Sequence, residues 1–123
     1  MSRSTTLTAS VRIEDGAHAP RDGVEQLVTA LASSYAAELA AAAERLAVPV
    51  DAIEVDAAAH LTERTDGRQD FVALELAAAV DAPAAHAERL QLAAELALDR
   101  CPVVAALDVP LSHSVRIQEV ARR

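Results

Sequence analysis

From Val24 onward the chain carries a single stripe of larger apolar side chains. Leu27, Leu31, Tyr35, Leu39, Ala42 and Leu46 step by four, four, four, three and four residues, the spacing that stacks side chains on one face of an α-helix. Around that stripe almost every position is alanine, apart from Ser33, Ser34 and the charged Glu38, Glu44 and Arg45. A helix at a protein surface carries charge around its outer half, whereas methyl groups let a neighbouring backbone approach closely. The pattern therefore predicts a helix enclosed on several sides, by a sheet on one and by another helix or a partner subunit on the other. Alanine is also the best intrinsic helix former and fills roughly a quarter of the 123 residues, so propensity alone offers a plainer account of the same run.

Strand signals flank this helix. Residues 7–14 alternate apolar and polar, the period-two mark of a strand with one covered face. Asp15-Gly16 ends it, and residues 20–23 make a polar connection. Pro49 stops the helix, and residues 51–61 start a second strand. Thr65-Asp66-Gly67-Arg68 is a hairpin signal, after which residues 71–80 return antiparallel. Pro83 opens a second helix at its first turn. This helix runs to about Arg100, with Leu90, Ala93, Ala94, Ala97 and Leu98 inward. Cys101-Pro102 breaks it, residues 103–107 continue as a short helix, and residues 109–117 form a last strand. The order β, α, β, β, α, α, β predicts one α+β domain over residues 1–123, with a short N-terminal strand region at 1–19, strands on one side and helices on the other.

Composition narrows the function classes. The formal net charge is −8, and all eleven basic residues are Arg. This balance argues against nucleic acid, which requires a basic face. One Phe, one Tyr and no Trp also remove any stacking platform for bases. A single Cys excludes an internal disulfide, a CxxC redox motif and a Cys-based zinc site. The first thirteen residues lack the apolar stretch of an export signal. The alanine-rich run is too interrupted by serine and charge to span a bilayer. A cytoplasmic protein is expected, with no membrane partner and with Cys101 reduced.

Cys101 is the only soft nucleophile. Pro favours the first position of a helix, so Cys101, preceding Pro102, would sit at the N-cap of the short helix. There, free N–H groups and the positive dipole end stabilise a thiolate, and Arg100 would add to this if its side chain turned inward. The plainer reading is a buried, inert small hydrophobe. Ser33 and Ser34 need no function, because a helical hydroxyl can bond back to the carbonyl one turn earlier. A nucleophilic Ser also needs a base. His18, His60, His86 and His113 are scattered over a loop, a strand, the first turn of the second helix and the last strand region, and each reads as a surface or strand-end residue. With no GxSxG turn and no HExxH, hydrolase and zinc chemistry are weakly supported. Glu25 opens the first helix, where the dipole favours a carboxylate. Gly16, Gly23 and Gly67 are each isolated in a turn, so no phosphate-cradling loop exists. No cofactor and no metal is expected.

Two segments, in this order and at this distance, resemble the OsmC and organic hydroperoxide resistance family. Residues 25–34, Glu-Gln-Leu-Val-Thr-Ala-Leu-Ala-Ser-Ser, are similar to the ELLLAALAAC start of that family's central helix. The resemblance continues ungapped through Ala43-Glu44-Arg45, Val48-Pro49 and Ile53-Glu54-Val55. Residues 97–103, Ala-Leu-Asp-Arg-Cys-Pro-Val, are similar to the family's ALERCPV. Together the match runs from about Pro20 to Ile117. It implies an α+β domain of antiparallel strands, with a long buried central helix and a second helix ending at a Cys-Pro, forming an intertwined homodimer. Members of the family typically reduce hydroperoxides with two cysteines. A peroxidatic thiolate at the end of the first motif attacks the O–O bond and becomes a sulfenic acid. A resolving thiol in the Cys-Pro motif then closes a disulfide that a dithiol reopens. A Glu at the helix start and an Arg from the N-terminal strands polarise the first thiol in many members.

This sequence departs from that pattern at the reacting position. Cys101 matches the resolving thiol and Glu25 the helix-start carboxylate, while Arg12 is a candidate for the Arg. The peroxidatic position falls on Ser34 or, with the register shifted by one, on Tyr35. A Ser hydroxyl is almost wholly protonated at neutral pH and has no sulfur to accept an oxygen atom. The resemblance thus implies a catalytically degenerate relative of the hydroperoxide-detoxifying, oxidative-stress proteins. Ser34 would face Cys101 across a subunit seam, and a pocket at the dimer interface would take a small apolar or thiol-bearing ligand. The alternative is a one-cysteine hydroperoxide reductase that uses Cys101 and an external thiol.

Overall fold

The alternating and four-residue patterns fold into the elements they foretell. The computed structural model describes residues 6–15, 22–63, 65–66, 69–107 and 109–118. Their order is β1 (Thr6–Asp15), α1 (Asp22–Arg45), β2 (Ala52–Glu63), β3 (Gln69–Asp81), a 3-10 turn (Ala84–His86), α2 (Ala87–Arg100), α3 (Pro102–Ala106) and β4 (Leu111–Ile117).

The strands form one sheet in the order β1-β2-β3-β4. Among the described strands only the central pair, β2 with β3, is antiparallel, while β1 runs parallel to β2 and β3 parallel to β4. The expectation of antiparallel strands is corrected accordingly. Its physical reason lies in the connections. β1 is followed by α1, and β3 by α2 and α3, and a helical crossover returns the chain to the same end of the sheet. The link from β2 to β3 is too short for that and closes a hairpin. Part of its turn signal lies outside the described residues, with Thr65 and Asp66 forming a turn.

All the helices cover one face. Ile53, Val55, Ala57 and Ala59 of β2 and Leu74, Leu76, Ala78 and Val80 of β3 are buried beneath it, together with Val28, Leu31, Tyr35 and Leu39 of α1 and Leu90, Ala94 and Ala97 of α2. Glu54, Asp56 and Ala77, on the other face, are exposed. Helix α1 packs on β1 and β2, with α2 and α3 against its flank, and α2 reaches β4. Enclosure by a sheet and a second helix is thus observed. A third strip of α1, comprising Thr29, Ala30, Ser33 and Ala37, stays exposed within the single chain.

The C-terminus of α1 shows how local chemistry sets an element's end. Ala47 adopts a left-handed φ of 58°. The Val48 N–H reaches the Ala43 carbonyl at 2.9 Å, and the Ala47 N–H reaches that of Glu44 at 3.1 Å. These are the paired bonds of a Schellman cap, and Pro49 then bars further helix. Arg89 of α2 donates to the Leu46 carbonyl at 3.1 Å, tying the two helices together where α1 ends. Pro83 lies just outside the second helical segment: it is extended and precedes the 3-10 turn that leads into α2. Among the described residues no helix is long and apolar enough to cross a membrane.

Candidate functional site

Three elements converge on Cys101. As expected from Pro102, it is the N-cap of α3, in an extended conformation with φ −73° and ψ 112°. Its N–H donates to the Leu98 carbonyl at 3.4 Å and its carbonyl accepts the Ala105 N–H at 3.1 Å, so its backbone joins α2 to α3. The side chain makes no cap hydrogen bond. It is 1% exposed, and Sγ donates to Ser34 Oγ of α1 at 3.4 Å. Arg100 is exposed. Of the two readings of Cys101, the structure thus matches the plainer one, a buried small side chain, and not a thiolate held by helix N–H groups beside an inward Arg100. The thiol turns away from the helix end into the core, where a hydroxyl oxygen offers an acceptor.

Ser34 and Tyr35 are consecutive on α1, so their side chains diverge by about 100° around the axis, and each meets a different neighbour. Tyr35 has no exposure at all and heads the fully buried side chains by volume. Its hydroxyl is hydrogen-bonded to Nε2 of His113 on β4. The two rings meet edge to face, with centroids 5.1 Å apart and planes at 81°. Burial pushes the phenol's pKa well above its ordinary value, and the nearby Cys101 adds to that shift. Burial likewise lowers the pKa of His113, an effect that the Glu95 carboxylate of α2 opposes. Both groups are thereby favoured in their neutral forms. The bond joins the phenol hydroxyl and Nε2, and the ring's tautomer sets which of the two donates.

The structure brings together Ser34, Tyr35 and Cys101 of the residues singled out in the sequence, and adds His113. The thiol and the Ser34 hydroxyl meet within one chain, not across a subunit seam, because α1 and the α2–α3 junction are neighbours in the same layer. Glu25 lies in the first turn of α1, and Arg12 stands opposite Ala58 in the β1–β2 ladder. The side chains of both fall outside the described residues. His113 is no surface or strand-end residue but sits inside β4 on the helix-covered face. Its signal was present in the pattern Leu-Ser-His-Ser-Val-Arg-Ile, where Leu111, His113, Val115 and Ile117 are the partly buried positions and the residues between them are exposed. Among the described residues no cluster of three or more His, Cys, Asp or Glu could hold a metal ion.

Fold and site together define a class: a helix-covered mixed sheet with a buried thiol at a helix junction beneath a long alanine-rich helix. The family model described as "OsmC-like protein" matches residues 16–115, and the chain belongs to that family. Solved structures agree at the level of fold. A hypothetical protein from Aquifex aeolicus VF5 superimposes with a TM-score of 0.68 at 14% identity, over 89% of this chain and 80% of that one. An organic hydroperoxide resistance protein from Elizabethkingia anophelis gives 0.65 at 16% identity, over 82% and 70%. An OsmC-like protein from Mycoplasma pneumoniae gives 0.64 at 17% identity, over 80% and 71%. Among proteins of curated function, none matches the sequence.

Proposed function

We propose that this chain is an OsmC-family protein of the hydroperoxide and oxidative-stress response in which the two-thiol cycle has lapsed. In its place, the Cys101 corner holds a small apolar or thiol-bearing ligand in a pocket completed by a second copy of the chain. One observation carries this reading: the sulfur of Cys101 faces a hydroxyl, Ser34 Oγ, at 3.4 Å. A serine oxygen cannot be oxidised by a peroxide to a sulfenic acid, nor can it close a disulfide. The lone thiol is 1% exposed, which suits a packing or binding role better than attack on a peroxide. The exposed strip of small side chains on α1, with Ala30 and Ala37 at its centre, supports a homodimer. Hydroperoxide resistance proteins among the structural neighbours support the physiological setting.

The test is direct. The purified protein is treated with stoichiometric cumene hydroperoxide, and intact mass is measured alongside peroxide loss in the presence of a lipoyl dithiol or dithiothreitol. The expected result is an unmodified Cys101 and no turnover. Rapid sulfenic acid formation with turnover would overturn the degenerate reading and establish a one-cysteine reductase resolved by an external thiol. Light scattering should give the mass of two chains, and a single-chain mass would remove the shared pocket.

A further inference from the structure

β4 stands at the end of the sheet and, among the described strands, pairs with β3 alone. The parallel ladder fixes which of its backbone groups are used. The Leu74 N–H donates to the Pro110 carbonyl and the Gln118 N–H to the Val80 carbonyl, so the even-numbered residues of β4 turn their N–H and C=O groups toward β3. Those of Leu111, His113, Val115 and Ile117 point away from the sheet. Among the described residues this outer row meets one partner, the Gln91 amide of α2, which donates to the Val115 carbonyl at 3.2 Å and leaves that oxygen a second lone pair. Natural edge strands are commonly blunted by Lys, Pro or a bulge. β4 reads Leu-Ser-His-Ser-Val-Arg-Ile and carries neither residue, and its register with β3 runs without a shift. Leu111, Val115 and Ile117 are only partly buried, so the helix layer stops short of covering them. We propose that β4 is the docking strand for a second copy of this chain: two β4 strands pair antiparallel about a two-fold axis at Ser114 and join the two sheets into one.

A row of free donors and acceptors at strand spacing fits another extended backbone, and the sequence of β4 selects its own copy. Antiparallel pairing centred on Ser114 overlaps all seven residues and makes the contact isologous, each side offering what the other takes. His113 then exchanges its outward N–H and C=O with those of Val115 of the second copy, and Leu111 does so with Ile117 of the second copy. On the helix side the partly covered apolar side chains meet. On the other face Ser114 lies beside its own counterpart, and the exposed Arg116 lies beside Ser112 of the second copy. A parallel, in-register pairing would instead set the two Arg116 side chains against each other, and like charges directly opposite destabilise a strand pair. The inference rests on the two-chain reading above and adds where the second copy attaches. It uses neither the α1 strip nor the thiol.

The experiment uses the full chain and three variants, read by light scattering and by non-reducing electrophoresis after mild oxidation with diamide. Centred pairing sets the two Ser114 residues as a non-hydrogen-bonded pair with Cα atoms about 4.5 Å apart, within the span of a disulfide. Ser114→Cys should therefore run as two linked chains. Ser112→Cys should stay a single chain, because its own counterpart lies four residues away along the strand. Val115→Pro removes an N–H that faces outward and spares the ladder to β3, a place where an edge strand tolerates proline. Its mass should fall to half that of the parent, with the circular dichroism of the parent retained. A parent of single-chain mass would remove the two-chain reading and this interface together. A two-chain parent whose Ser114→Cys variant stays unlinked would overturn the β4 pairing alone and leave the two chains joined elsewhere. Linking of Ser112→Cys as complete as that of Ser114→Cys would likewise overturn it, as the mark of random collision. If Val115→Pro does not fold, the two cysteine variants decide.

Discussion

Two histidines on the same sheet show how far its faces differ. His60 of β2 lies on the face turned from the helices, with Nε2 2.9 Å from Glu75 Oε2. Their side chains are 34% and 44% exposed, so water and salt screen the pair and leave it little net energy. His113 of β4 lies on the covered face and meets a phenol that no water reaches. There the same ring is hydrogen-bonded to a buried hydroxyl, and its protonation state becomes a property of the core. The face of the strand, not the residue type, determines the chemistry.

The comparison is sharpest where the change is largest. Tyr35→Ala empties the space of the largest buried side chain among the described residues and removes the hydrogen-bond partner of His113. It should lower unfolding free energy by about 3–5 kcal/mol, read from denaturant midpoints at pH 7. A loss no larger than that from an outward substitution would erase the distinction between faces.

The second test is pH. His113 binds its proton less readily in the folded chain than in the unfolded one, whose ordinary value is 6.5. Stability contributed by the neutral ring is therefore complete above that value and is lost as pH falls toward the lower, folded one. The parent's urea midpoint should drop on acidification through this window, and His113→Gln should flatten part of that drop. Identical slopes would remove the imidazole from the core's energetics.

A change on neither face gives a scale between the two. Ala47 holds a left-handed conformation that disfavours a Cβ, so Ala47→Gly should stabilise by about 1 kcal/mol in thermal or urea unfolding. The smallest effect is expected outside. His60→Ala should move stability by no more than about 0.5 kcal/mol, and a loss comparable with that of Tyr35→Ala would break the contrast.

Much of this arrangement is written in local periods. The four-residue stripe found Leu31, Tyr35, Leu39 and Ala42 as the buried face of α1, all of them essentially inaccessible. Pro102 alone placed Cys101 at a helix start. What local pattern could not carry was anything decided by a crossover. Strand direction depends on where a helix returns the chain, so the parallel outer pairs were missed. Which way the Cys101 side chain turns depends on a hydroxyl 67 residues earlier, so the cap reading placed the residue correctly and its sulfur wrongly. His113 was legible in principle, as the one polar residue in register with the apolar positions of β4. Local pattern does not reveal its role, because a lone histidine in a short strand ordinarily reads as a surface residue and its partner lies on a helix 78 residues earlier.

The claim beneath all of this is that Ser34 occupies the place from which a second sulfur would close on Cys101 within the same chain. The Ser34→Cys variant tests it most directly. It is oxidised with stoichiometric cumene hydroperoxide and read by intact mass and non-reducing electrophoresis. An internal disulfide should form, with each chain lighter by two hydrogens and running as a single chain. Two free thiols after oxidation, or disulfides joining separate chains, would contradict it.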